Sequence, residues 1–233
     1  MTPLLHAEAL GLPGRLAPTD LGIDAPAFVC LVGPNGSGKT SLLHALARVG
    51  KPGGTVRIAG EDPEAHGPGT RTRLLTYLPA SRDIAWPLSA QDVIALGLPP
   101  GGVADPAVEA LETAEFGHRR VDRLSTGERS RVLIARAVAP APRLLLLDEP
   151  SANLDPKWQL RLMGLLRKLV ETRGIAVVAA MHDLDLAARF ADRLLMMKDG
   201  AVVADGAPRA LLESPHLREV FGIVRGSAGW ELV

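Results

Sequence analysis

An α/β fold with a mainly parallel sheet is predicted by three apolar runs and the helical segments that follow them. Phe28–Val32, Leu144–Leu147 and Ile175–Met181 are continuous rather than alternating, the pattern of strands buried on both faces. Behind the first, Leu42, Leu43 and Leu46 recur at helical spacing. Behind the second, Trp158, Leu162, Leu165, Leu166 and Leu169 fall on a single helix face. A chain of 233 residues suffices for one such domain with a large core, or for one domain carrying an insert.

Between the first strand and its helix stands Gly33-Pro34-Asn35-Gly36-Ser37-Gly38-Lys39-Thr40, which fits G-x-x-x-x-G-K-[ST], the phosphate-binding loop. Its glycines let the backbone fold tightly around phosphate oxygens and aim N–H groups inward. Lys39 is placed to reach the β and γ phosphates, and the Thr40 hydroxyl to bind Mg²⁺, with Ser41 next in the first helical turn. Strand, loop and helix in this order put the anion at a helix N-terminus. Cys30, inside the apolar strand, reads as a small core residue.

Further along, Thr55–Ala59 alternates and ends at Gly60, which predicts a strand. Glu61–Gly69 is rich in Pro, Gly and charge and predicts a loop. Leu74–Leu78 predicts another strand. From Pro79 to Gly102 four prolines break the chain, with a short helix expected around Ser89–Leu96. Asp105-Pro106 suits a helix start that Val108, Leu111 and Glu112 carry on. This middle section reads as a helical insert, about residues 79–137, with no strong strand. Alternation resumes at Arg143 with the strand Leu144–Leu147. Asp155-Pro156 then makes an N-cap with proline at the first helical position. Leu194–Lys198, Asp199-Gly200 and Ala201–Ala204 predict a β-hairpin.

Composition removes several function classes. Lys+Arg and Asp+Glu are 26 each, so no global basic field suggests nucleic acid. Aromatic residues make up 3%, too few for a stacking surface along single strands. One cysteine permits no internal disulfide, in keeping with a reducing compartment. The first residues lack a basic stretch followed by an apolar core, and no run reaches the roughly 18–20 apolar residues that span a bilayer. Any tie to a membrane is expected to run through a partner.

Two more stretches carry chemistry. Leu144–Leu147 ends in Asp148-Glu149, two carboxylates at the carboxyl end of a buried strand, where α/β proteins place their sites. Asp148 is expected to bind Mg²⁺, directly or through water, leaving Glu149 to polarise the attacking water. Leu124-Ser125-Thr126-Gly127-Glu128 precedes a helix with Val132, Leu133, Ala135 and Arg136, and Ser125 with Glu128 also fits a capping box. Leu-Ser-x-Gly-Glu followed by Arg-x-Arg-Val-x-x-Ala-Arg-Ala resembles the signature of ATP-binding cassette (ABC) ATPases. The resemblance continues through Asp148-Glu149-Pro150 (Walker B), Ser151-Ala152-Asn153-Leu154-Asp155 (D-loop) and His182-Asp183 (switch histidine). It spans roughly residues 27–206.

The resemblance implies a P-loop NTPase core with an N-terminal antiparallel β part and an inserted α-helical subdomain carrying the signature, all in one nucleotide-binding domain over residues 1–233. It implies ATP and Mg²⁺ as ligands, with Gly33–Ser41 binding the nucleotide and Thr40 and Asp148 the metal. Glu149 and His182 become the catalytic pair, His182 through the γ-phosphate. Ser125, Thr126, Gly127 and Glu128 would complete the site of a second copy, and Asp155 would meet the partner, so that ATP glues a homodimer. The tail, Asp183–Arg193 and Pro215–Ile223, resembles the ATPase subunits of iron–siderophore, haem and cobalamin importers. That implies docking on two membrane permease subunits at the cytoplasmic face of the membrane, served by a periplasmic or lipoprotein binding protein. The docking groove is expected along residues 79–100.

Three positions depart from the family pattern. Ala80 stands after Tyr77-Leu78-Pro79, where a metal-binding Gln is usual, and alanine has no oxygen to offer. Gln91 lies too far along to replace it. Thr126 replaces the common Gly of the signature. No Tyr or Trp precedes Phe28, so base recognition is expected to rest on apolar contacts. These departures motivate an alternative, a regulatory nucleotide-binding module with little hydrolysis. A further alternative is an ABC ATPase serving a soluble partner.

Overall fold

A computed structural model describes residues 2–81, 87–226 and 229–233; residues 82–86 of the expected docking groove lie outside it. The strands are β1 (Leu5–Leu12), β2 (Leu16–Ile23), β3 (Phe28–Val32), β4 (Gly53–Ile58), β5 (Leu75–Leu78), β6 (Leu144–Asp148), β7 (Ala176–Ala180), β8 (Arg193–Lys198), β9 (Ala201–Gly206), β10 (Ile223–Arg225) and β11 (Trp230–Leu232). The helices are α1 (Lys39–Leu46), α2 (Pro68–Leu74), α3 (Ala90–Ala95), α4 (Thr126–Val138), α5 (Pro156–Arg173), α6 (Leu184–Phe190), α7 (Pro208–Leu212) and α8 (Pro215–Phe221).

The central sheet has the order β5-β6-β7-β3-β8-β9. Its pairs are parallel except for the β8–β9 hairpin at one edge. Both faces are covered, so successive strand residues alternate between two cores. Phe28, Cys30, Val32, Leu145, Leu147, Val177, Ala179, Leu194 and Met196 pack on α4, α5 and α6. Val29, Leu31, Leu144, Leu146, Val178, Ala180, Leu195 and Met197 pack on α1 and a second, antiparallel sheet of order β2-β1-β4. A strand buried on both faces has no polar side to show, which is why β3, β6 and β7 read as unbroken apolar runs. Cys30 lies at the centre of β3 with its thiol 3.4 Å from the Met181 sulfur, and burial pushes its pKa up. It is an inert core group.

The N-terminal segment is more regular than its sequence. In β1, Leu5, Ala7, Leu10 and Leu12 are buried. The interval jumps from two to three at Ala9, which takes φ 48 while its N–H donates to Asp20 Oδ1 at 2.7 Å. The register to β2 shifts at that point, so a bulge hides the alternation. Two other readings are corrected. Residues 68–74, of which the first two lie in the expected loop and the last in the expected strand, form α2, begun by Pro68 at its first position. Only Leu74 of that helix is buried, so it has no apolar period to detect. The helix expected from Asp105 is a 3-10 turn, Pro106–Leu111, capped by Asp105 and ended by Glu112 at φ 49.

Between β5 and β6 the described residues contain α3, three 3-10 turns and α4, with no strand. Arg131 of α4 fixes this region to α5. Its guanidinium lies 4.7 Å from the ring centre of Phe116 and 4.1 Å from that of Trp158, and donates to the Leu111 carbonyl at 3.1 Å. Arg161 pairs with Glu112 at 2.7 Å, and Arg173 with Asp105 at 3.1 Å.

Leu144–Leu147 of β6 are fully buried. Leu146→Ala is expected to lower unfolding stability by about 3 kcal/mol, read from urea midpoints, because a cavity remains between packed layers. Leu160→Ala, at a position 42% exposed, should change it by less than about 0.5 kcal/mol. Equal losses would contradict this assignment of the core.

Candidate nucleotide-binding site

The site forms where parallel strands end together. The loop after β3 and the residues after β6 and β7 meet because β6, β7 and β3 are neighbours in the sheet. A cavity of about 690 Å³ opens there, lined by Asn35–Ser41, Glu149 and His182, and by Gly14–Ala17 and Asp199-Gly200. The loop is a close fit. A Cβ on Gly33 would lie 2.4 Å from the Met197 carbonyl oxygen, and one on Gly38, at φ +102, 3.0 Å from Gly200 Cα. Only glycine tolerates both demands. Gly38 is the N-cap of α1 and makes no side-chain cap, so the first N–H groups of the helix face the cavity.

Lys39 is 6% exposed and folds onto its own loop, donating to the Gly33 carbonyl at 2.8 Å and the Pro34 carbonyl at 3.0 Å. Burial lowers its pKa, and the charges of Glu149 and Asp148 act the other way. Asp148 is 1% exposed and accepts from the Thr40 hydroxyl at 2.8 Å. Burial raises its pKa, against the Thr40 hydrogen bond. The Tyr77 hydroxyl lies 3.5 Å from the same carboxylate oxygen, with the His44 ring edge-on to Tyr77.

Glu149 turns the chain after β6 with φ 50 and donates its N–H to the Ala180 carbonyl at 3.1 Å. Its carboxylate reaches His182 Nε2 at 2.5 Å. Of the expected phosphate, metal and water-activating residues, Asn35–Ser41, Glu149 and His182 line one cavity, while Gly33, Pro34 and Asp148 lie behind its wall, hydrogen-bonded to Lys39 and Thr40. Thr40 and Asp148 offer hard oxygen donors side by side. The described residues hold no cluster of three or more His, Cys, Asp or Glu able to bind a metal ion alone. Such a pair suits Mg²⁺, which takes one or two protein oxygens and fills its shell with phosphate and water.

The signature residues are elsewhere. Ser125 caps α4 and accepts from the Glu128 N–H at 3.2 Å, while Glu128 accepts from the Ser125 N–H at 2.9 Å and pairs with Arg119. Neither lines the cavity. Gly127 lies beside the Asn153 carbonyl, 3.5 Å from where its Cβ would be, so signature and D-loop are neighbours within the chain. Asp155 caps α5 through the Trp158 N–H at 3.0 Å. Gln91 sits in α3 against Gly117, away from the cavity lining. Sequence reading missed Arg15 and Asp199-Gly200 as cavity residues. The Pro13-Gly14 and Asp199-Gly200 pairs announce turns, but only long-range packing shows that both turns reach the loop.

The raised pKa of Asp148 sets a pH dependence. Folding favours the protonated acid, so the contribution of this group is full below its ordinary value of 3.8 and lost as pH rises through the raised value. Asp148→Asn, which never ionises and still accepts from Thr40, is expected to melt above the parent at pH 7 in EDTA. The gap should narrow toward pH 4. A parent that melts higher at pH 7 would refute this.

A family model described as ABC transporter matches residues 16–152. A second, described as AAA domain, putative AbiEii toxin, Type IV TA system, matches only residues 117–188. A cobalamin import ATP-binding protein of Halobacterium salinarum is 38% identical over 231 residues, covering 92% of this chain and 58% of its own. The chain thus spans under two thirds of that relative. A hemin import ATP-binding protein of Rhizobium meliloti is 39% identical over 230 residues, covering 91% of this chain and 87% of its own. Among solved structures, a dimeric ATP-binding cassette in a post-hydrolysis state with ADP and Pi aligns with a TM-score of 0.74 at 28% identity. That alignment covers 88% of this chain and 99% of the cassette. The chain belongs to the ABC transporter family of ATP-binding proteins.

Proposed function

We propose that this chain binds and hydrolyses ATP as the energy-coupling subunit of an importer for a metal chelate of the haem or cobalamin kind. One observation carries the hydrolytic part: neighbouring strands bring Lys39, Thr40, Glu149 and His182 to one cavity, with Asp148 buried behind Thr40 and hydrogen-bonded to it. The import part rests on the relatives, which are named for cobalamin and hemin import. On this reading residues 1–233 form one nucleotide-binding domain, with the helical insert at about 79–137.

The residues would work as follows. Lys39 exchanges the Gly33 and Pro34 carbonyls for β- and γ-phosphate oxygens, and its charge then offsets charge built up in phosphoryl transfer. Thr40 and Asp148 would hold Mg²⁺, which would supply positive charge to offset that of the phosphates. Glu149 accepts a hydrogen bond from the attacking water and aims it at the γ-phosphorus. His182, held against Glu149, positions that carboxylate and faces the γ-phosphate. Ser125 and Gly127, absent from their own cavity, would close the site of a second copy with the N-terminus of α4. The dimeric cassette among the structural neighbours supports that arrangement.

No helix among the described residues is long and apolar enough to cross a membrane, so transport needs permease subunits. A cleft of about 290 Å³ lined by Tyr77, Leu78, Pro79, Ser81, Leu96, Leu133 and Arg136 is offered as their docking site. It joins the end of β5 to the helical region. Docking there would hold the chain at the cytoplasmic face, with an external binding protein delivering the chelate. The alternative, a nucleotide-binding module that scarcely hydrolyses, has Ala80 in its favour and the Glu149–His182 pair against it.

Glu149→Gln is expected to lower the ATP turnover number at least a hundredfold while leaving ATP affinity within about threefold. Lys39→Ala should abolish tight binding. In size measurements, Mg-ATP should convert the Glu149→Gln chain from monomer to dimer, and the Lys39→Ala chain should stay monomeric. Parent turnover no higher than that of Glu149→Gln would favour the module that only binds.

A further inference from the structure

The cavity has two ends, and the sheet order separates them. Glu149 and His182 follow β6 and β7, on one side of β3. Asp199-Gly200 follow β8, on the other side. The β1–β2 turn joins that second side, because the Ala17 N–H donates to the Gly200 carbonyl at 2.8 Å. A nucleotide whose γ-phosphate faces Glu149 therefore directs its nucleoside toward Gly14, Arg15, Leu16, Ala17, Asp199 and Gly200.

Among the described residues lining that end there is no aromatic ring. Leu16 is buried in the core beneath it, and the rest are small residues apart from Arg15 and Asp199. Arg15 is exposed, and among the described residues its side chain forms no hydrogen bond or ion pair. Its backbone is fixed. The Arg15 N–H donates to the Leu12 carbonyl at 2.9 Å. A Cβ on Gly200 would lie 2.8 Å from the Arg15 carbonyl oxygen, and one on Gly38 3.4 Å. The turn is thus set against the phosphate loop with no slack, while the guanidinium is free to reach over the cavity.

We propose that the Arg15 guanidinium is the plane on which the nucleobase stacks, and that it gives the site its preference for purines. This rests on the reading of the cavity as a nucleotide site. A guanidinium is flat, delocalised and weakly hydrated, and stacks on π-faces where an ammonium cannot. A purine presents a larger face than a pyrimidine. Arg15 replaces the apolar contacts expected from the sequence and fills the place for which no Tyr or Trp precedes Phe28.

Equilibrium binding to the full chain in EDTA tests this, with ATP, CTP and inorganic tripolyphosphate as probes and thermal melts confirming folding. Arg15→Ala is expected to weaken ATP about tenfold, to leave tripolyphosphate within twofold, and to narrow the ATP/CTP ratio. Arg15→Trp, flat but uncharged, should restore ATP binding, and Arg15→Lys, charged but not flat, should not. If Arg15→Ala weakens tripolyphosphate as much as ATP and Lys rescues both, Arg15 is a phosphate contact and the stacking role is overturned. Unchanged ATP binding in Arg15→Ala overturns it as well. ATP binding that survives Lys39→Ala undiminished would instead overturn the nucleotide reading of the cavity.

Discussion

Backbone-to-backbone approaches that leave no room for a side chain hold the phosphate loop, and the rest of the site depends on them. Gly33 lies against the Met197 carbonyl, Gly38 against Gly200, and Gly200 against the Arg15 carbonyl. The Gly200 N–H also donates to the Ser37 carbonyl at 3.0 Å. Three segments distant in sequence, the β1–β2 turn, the loop after β3 and the β8–β9 hairpin, are locked into one rigid rim. Rigidity of this kind lets backbone N–H groups serve as fixed anion donors without reorganising when the anion arrives.

Charge arrives at this rim under strain of a different kind. Lys39 and Asp148 are both nearly inaccessible, and burial drives each toward its neutral form. In place of water the ammonium has two carbonyls, and the carboxylate accepts from the Thr40 hydroxyl with the Tyr77 hydroxyl 3.5 Å away. A polyphosphate would answer the first and a divalent cation the second. Ligand binding then relieves a desolvation cost already present in the fold. Stabilisation by nucleotide with magnesium should exceed that by either alone, since each ligand brings the counter-charge the other needs.

What the sequence showed follows from how local each feature is. The loop, β3, β6 and the cap of α5 were legible because their signals are contiguous: glycine spacing, unbroken apolar runs, Asp155 before Pro156. Glu149 and His182 could be named singly, but their contact at 2.5 Å depends on β6 and β7 being neighbours, which no local pattern states. The bulge at Ala9 erased the alternation of β1, and α2 buries too little to show a period. Arg15 was illegible for the plainest reason. It is one exposed arginine among many charges, and its position matters only through Gly38 and Gly200, more than twenty and nearly two hundred residues away.

The helical region shows why one chain leaves the proposed site open. Arg131, held between Phe116 and Trp158, ties α4 to α5, and the two ion pairs from Arg161 and Arg173 add to the same seam. Desolvated cation–π contacts of this type are worth about 2 kcal/mol each, against at most about 1 kcal/mol for the exposed Arg161–Glu112 pair. The stack therefore dominates the seam. It fixes the Ser125 cap relative to Asp155 and beside Asn153, so signature and D-loop form one surface rather than two. Neither reaches the cavity that holds Lys39. For Ser125 to meet a phosphate within its own chain, α4 would have to break the Arg131 stack. Meeting the cavity of a second copy, as proposed, would require no internal contact to be lost and would bring Asp155 to that interface with it. The packing of Arg131 is thus compatible with the proposed completion of the site between chains and opposes closure within one.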